Sequence, residues 1–235
     1  MHLSRISFTR HSRPRRIGVQ LSALALLGAL CAAQAHAAIV VGFLSDKNGQ
    51  AVPNAVLYAT PLDAPLPPPK AVNPLVVAQE NYNFVPYVSV MRVGTSVRFP
   101  NRDPHDHHLK SFSPAKSFEL RVYSKREEPA PIPFDTVGEV ALVCHLHDSM
   151  RGFIYVVDTP YFAKSDKAGN ALLQNLPAGK YEIKAWAPSM LVGPPPQVVQ
   201  VTDSGSNSLK FQFNFVPKAP PPPRPPAAPK MDSYY

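Results

Sequence analysis

From Ala38 onward, apolar and polar residues alternate in short runs, broken by Gly, Pro, Asn and Asp. Residues 38–62 read as a pair of strands around the turn signal Asp46-Lys47-Asn48-Gly49. Residues 75–158 hold a series of strand-type runs: "YVSVMRV", "TSVRFP", "FELRVY", "VALVC" and "GFIYVVD". They are rich in Val, Phe, Tyr and Ile, which suit a pleated, half-buried surface. Turns are expected at Gly94-Thr95, Asn101-Arg102-Asp103 and Asp135-Thr136-Val137-Gly138. Residues 159–217 add "KYEIKAW" and "KFQFNF" around Gly169 and Pro177-Ala178-Gly179. No long segment carries an apolar stripe of helical period. The pattern predicts an all-β protein, with enough chain for two small sandwiches.

Two stretches stand outside this pattern. "DAPLPPPKAVNP", residues 63–74, is a proline-rich connector, and "KAPPPPRPPAAPKMDSYY", residues 218–235, is a proline-rich tail that cannot build a core. The tail is a candidate polyproline II spacer or ligand, which keeps an envelope scaffold among the readings.

The first 37 residues change the compartment. Arg5, Arg10, Arg13, Arg15 and Arg16 precede the apolar run Ile17 to Ala32, and Ala35-His36-Ala37 fits a small-x-small cleavage site. This reads as a secretory leader, residues 1–37, cut after Ala37. The run is shorter than the roughly 20 residues a membrane span needs. The expected mature protein is exported, periplasmic or secreted, with no membrane span. Its charge also changes: 19 Lys and Arg remain against 16 Asp and Glu, about +3. No basic cluster interleaved with aromatics is present, so no nucleic-acid partner is expected.

Once the leader is gone, Cys144 is the one cysteine left. In an oxidising compartment it is a buried hydrophobe, an intermolecular link, a nucleophile or a metal ligand. Its neighbours argue for the last. "CHLHDSM" sets His147 and Met150 at +3 and +6 from Cys144, on a loop between two strand-type runs. Upstream, "FPNRDPHDHHL" places His105, His107 and His108 at the end of another strand, and one of them can complete the set. A thiolate, two imidazoles and a thioether form the trigonal His2-Cys arrangement with weak axial Met used for type 1 copper. Structural zinc usually takes paired cysteines. A Cys-His catalytic pair would leave Met150 without a role other than core filler. No nucleophile–base–oxyanion constellation argues for an enzyme.

On these residues the chain resembles the cupredoxins. "VRFPNRD…HHLKSFSPAKSFEL" and "CHLHDSMRGFIYVVDTPYF" are similar to plastocyanin-like periplasmic proteins of the methylamine-utilization kind, and the loop spacing to amicyanins. The resemblance covers roughly residues 80–162. It implies a Greek-key β-sandwich over 75–162, one type 1 copper per chain, and one-electron transfer to unidentified redox partner proteins through His147. It implies His107 as the upstream ligand, with His108 beside it and His105 in solvent. The expected set is therefore His107, Cys144, His147 and axial Met150. Asn101 resembles a residue that ties the two ligand loops together, or is an ordinary turn residue. His145 and Ser149 depart from the family pattern without removing a ligand. The alternative function is periplasmic copper binding and delivery with the same ligands.

The flanks resemble a carboxypeptidase-regulatory-like, or prealbumin-like, β-sandwich. The signals are Asp46-x-x-Gly49, Asp166-Lys167-Ala168-Gly169 and Leu176-Pro177-x-Gly179-x-Tyr181. Residues 38–62 and 163–217 would form this second sandwich with the copper unit inserted between them. Otherwise 38–62 is the first hairpin of the cupredoxin.

Overall fold

The computed structural model describes residues 38–222. The leader expected over 1–37 and the end of the tail, 223–235, lie outside the described residues. Every regular element among the described residues is a strand, and no helix there is long and apolar enough to cross a membrane.

Before the connector come β1 (Ala38–Ser45) and β2 (Val56–Pro61). After it come β3 (Leu75–Val76), β4 (Ala78–Glu80), β5 (Asn83–Val85), β6 (Val88–Arg92), β7 (Thr95–Arg98) and β8 (His107–Ser113). They are followed by β9 (Lys116–Tyr123), β10 (Ile132–Phe134), β11 (Gly138–Cys144) and β12 (Arg151–Val157). The last are β13 (Phe162–Lys164), β14 (Asn170–Leu176), β15 (Gly179–Trp186), β16 (Gln197–Val201) and β17 (Ser206–Gln212).

Two sandwiches result. In one, the sheet β14-β1-β17 faces the sheet β13-β2-β15-β16 across a core that includes Val40, Leu57, Leu173, Ile183 and Phe211. In the other, the five-stranded sheet β6-β12-β11-β8-β9 faces β10-β7-β3 across Val97, Phe99, Leu109, Leu142 and Ile154. The β4–β5 hairpin adds Phe84 to this second core.

Alternation lets the five-stranded sheet bury both faces, because successive side chains point to opposite sides. Ile154 and Val156 of β12 enter the second core, while Phe153 and Tyr155 face out. The outward residues meet Val56, Tyr58 and Trp186 of the first sandwich. Tyr155 stacks on Trp186 at 4.4 Å and 9°.

The expected turn signals form as read. Asp46 Oδ1 accepts from the amides of Asn48 and Gln50, and Asp166 Oδ1 from those of Ala168 and Asn170. Gly49 and Gly169 close these turns at φ 79° and 80°, where side chains are strained.

Candidate metal centre

The upstream histidines do not end a strand, as their place after "VRFP" suggested; His107 and His108 open β8. Alternation along β8 then sorts them. His107, Leu109 and Ser111 point inward, while His108 and Lys110 point out. A bulge between β8 and β9 lies at His107/Leu109, a device that re-aims a side chain. On the neighbouring strand β11, Val140, Leu142 and Cys144 point inward, and Cys144 pairs with Leu109. Cys144 and His107 thus share the inner face of adjacent strands.

The loop after Cys144 folds back at once. The Met150 amide donates to the His147 carbonyl at 2.9 Å, and the Cys144 amide to the Met150 carbonyl at 3.2 Å. The His145 amide donates to the His108 carbonyl at 2.8 Å, tying this loop to β8. His107 Nδ1 lies 3.7 Å from Cys144 Sγ, and His147 Nδ1 lies 3.5 Å from it. The three donor atoms fall within 4.8 Å of one another. Met150 is fully buried in the same apolar cluster as Cys144.

These separations suit a metal. Bonds of about 2.3 Å to sulfur and 2.0 Å to nitrogen, at trigonal or tetrahedral angles, set the two donors roughly 3.5–3.7 Å apart. The donor set of one thiol and two imidazoles fits a soft transition metal such as copper. Burial raises the Cys144 thiol, but the contact with His107 and the amides of His108 and Leu146 outweigh it and bring it below its ordinary value.

His107 is held from behind. Its Nε2 lies 2.8 Å from Asp103 Oδ2, and both side chains are buried. Burial alone would lower the imidazole, but the contacts with Cys144 and Asp103 raise it overall. Burial would likewise raise Asp103, yet donation from Tyr82, His107 and Asn81 holds its carboxyl below the usual range.

The other histidines are elsewhere. His108 Nε2 meets Glu119 at 2.6 Å on the outer face, where its ring lies 5.4 Å from that of His145. His105 is exposed and stacks on Tyr82 at 5.2 Å. Asn101 holds the upstream loop through its side chain. Its amide donates to the carbonyls of His105 and Tyr123, and its oxygen accepts from the Asp103 amide. It braces the upstream loop against β9.

Two residues at the site were missed in the sequence. Asp103 could have been suspected from its spacing of four before His107. Tyr82 gave no local signal. Its ring meets His147 edge-on at 4.8 Å and His107 at 6.2 Å, across a gap in sequence that no motif spans.

No protein-family model matches this chain, and no curated protein matches it. Among solved structures it is similar to a copper-containing nitrite reductase (NirK) from Thermus scotoductus SA-01, with 24% identity and a TM-score of 0.35. That match covers 42% of this chain and 25% of the reductase, so the chain spans about a quarter of the reductase's length. It is also similar to a mutant of amicyanin in its reduced state, with 21% identity over 43% of this chain and 99% of that one, at a TM-score of 0.34. Another amicyanin mutant, in its oxidised state, matches with 22% identity over 36% of this chain and 82% of that one, at a TM-score of 0.32.

Proposed function

We propose that the chain is an exported, cupredoxin-like type 1 copper protein that works as a one-electron carrier. The observation that carries this reading is the convergence of His107 Nδ1, Cys144 Sγ and His147 Nδ1. Copper bound there would supply a Cu(I)/Cu(II) couple. Cys144 would bind as thiolate, His107 and His147 through Nδ1, and Met150 as the weak axial donor. The protein's part is to keep these groups still. His107 is buried between Asp103 and Cys144, and the 144–150 loop is closed by its own backbone bonds. Rigid donors limit rearrangement between oxidation states. In this reading the flanking sandwich, built from 38–62 and 163–217, is a platform into which the copper unit is inserted. Electrons pass to redox partner proteins by way of His147, in the periplasm.

The test is Cu(II) added to the purified mature protein. An intense visible band from thiolate-to-copper charge transfer is expected, and Cys144→Ser should abolish it. A colourless wild type, or a Ser variant that stays intensely coloured, would overturn the assignment.

A further inference from the structure

Asp103 is 4% exposed, yet three donors converge on its carboxylate. Oδ1 accepts from the Asn81 amide at 2.6 Å, and Oδ2 from the Tyr82 amide at 3.0 Å. Oδ2 also lies 2.8 Å from His107 Nε2. An ionised carboxylate can only accept. The His107 proton therefore belongs on Nε2, and the Nδ1 lone pair is left facing Cys144.

The same anion organises a second part of the site. Asn81 and Tyr82 sit at φ 54° and 59°, two successive residues in the left-handed region. Such backbone costs energy and persists where its surroundings over-determine it. Here the two amides point at one carboxylate, forming an anion-binding concavity. The turn they form joins β4 to β5 and carries the Tyr82 ring to the edge of His147, 4.8 Å away. One imidazole opens β8, and the other lies on the loop between β11 and β12. One is braced by Asp103 directly, the other through Tyr82.

We propose that Asp103 is a positioning residue for the metal centre, holding His107 as the Nε2–H tautomer and, through the Asn81–Tyr82 turn, keeping His147 against the site, so that the ligand set favours the higher oxidation state of copper. The redox part rests on the copper reading above; the tautomer part does not. A carboxylate behind a ligand imidazole makes that imidazole a stronger donor. A buried negative charge near the metal also attracts Cu(II) more than Cu(I).

Asp103→Asn keeps the shape and removes the charge. The amide then has one oxygen for three donors. With that oxygen on the turn, its NH2 faces His107 Nε2 and selects the wrong tautomer. Cu(II) affinity should fall by about 10- to 100-fold, Cu(I) affinity should fall less, and the midpoint potential should rise. Tyr82→Leu removes the His147 brace and leaves Asp103 on His107, so affinity for both states should fall alike and the potential should stay near the wild-type value. An Asp103→Asn variant with wild-type potential and affinity would overturn the proposal, as would a Tyr82→Leu variant with wild-type affinity. The metal-free wild type gives a separate readout. Its 15N imidazole shifts should show His107 protonated on Nε2, and an unprotonated Nε2 overturns the proposal even if Asp103→Asn does not fold. A wild type that takes up no copper sinks the copper reading alone, and the tautomer still decides the role of Asp103.

Discussion

Met150 is where two physical readings of one side chain part. It is fully buried beside Cys144 in a single apolar cluster, a place that suits both an axial donor and a core filler. A thioether is soft and stabilises Cu(I) relative to an oxygen donor. Met150→Gln should retain copper, lower the midpoint potential and alter the visible spectrum. Met150→Leu removes the donor and should raise the potential. If Met150 only fills space, Leu is close to it in volume. The potential would then stay fixed while stability moves by under ~1.5 kcal/mol. Voltammetry on both variants separates the readings.

The hairpin β4–β5 matters to the site although it contributes no donor atom. It reaches the second core through Phe84, and it reaches His107 and His147 through Tyr82. Gly152, on β12, allows the first of these contacts. A Cβ at this position would lie 2.7 Å from the Cβ of Phe84, an atom too near the backbone to swing aside. Gly152→Ala should therefore overpack the site and cost about 1–3 kcal/mol, read as a lower midpoint in urea unfolding. It should also shift the Tyr82 ring away from His147. Unchanged stability would mean that the hairpin yields freely.

The two sandwiches are joined by a third apolar cluster, Val56, Val88, Phe153 and Trp186, reinforced by polar contacts across the junction. The Lys164 ammonium donates to the Val88 carbonyl at 2.8 Å, and the Tyr58 and Tyr155 hydroxyls meet at 3.2 Å. Trp186 Nε1 donates to Glu139 Oε2 at 3.2 Å. Burial pushes the Glu139 carboxyl above its ordinary value of 4.5, and the bonds from Trp186 and the Ser189 amide offset only part of that. The sign follows from linkage. Above the ordinary value the unfolded carboxyl has lost its proton while the native one keeps it, so the native state binds more protons there. The stability from this group is greatest at acid pH and is lost as pH rises through the raised native value. Glu139→Gln should flatten that decline in thermal melts from pH 4.5 upward. An identical pH profile in the variant would show that Glu139 does not carry it.

Strand type, the two Asx turns and the candidate donors Cys144 and His147 were legible along the chain because each depends on residues a few positions apart. Sheet order was not legible. The parallel pairing of β1 with β17 and of β6 with β12 joins segments far apart in sequence, and a local period carries no record of which distant strand it will meet. The same holds for Asp103 and Tyr82. Asp103 becomes a brace only when β8 brings His107 back over it, and Tyr82 becomes part of the site only when Phe84 docks against Gly152. The identity of the donors is side-chain chemistry and can be read in one dimension. Their spacing, burial and charge arise from packing between segments that only folding brings together.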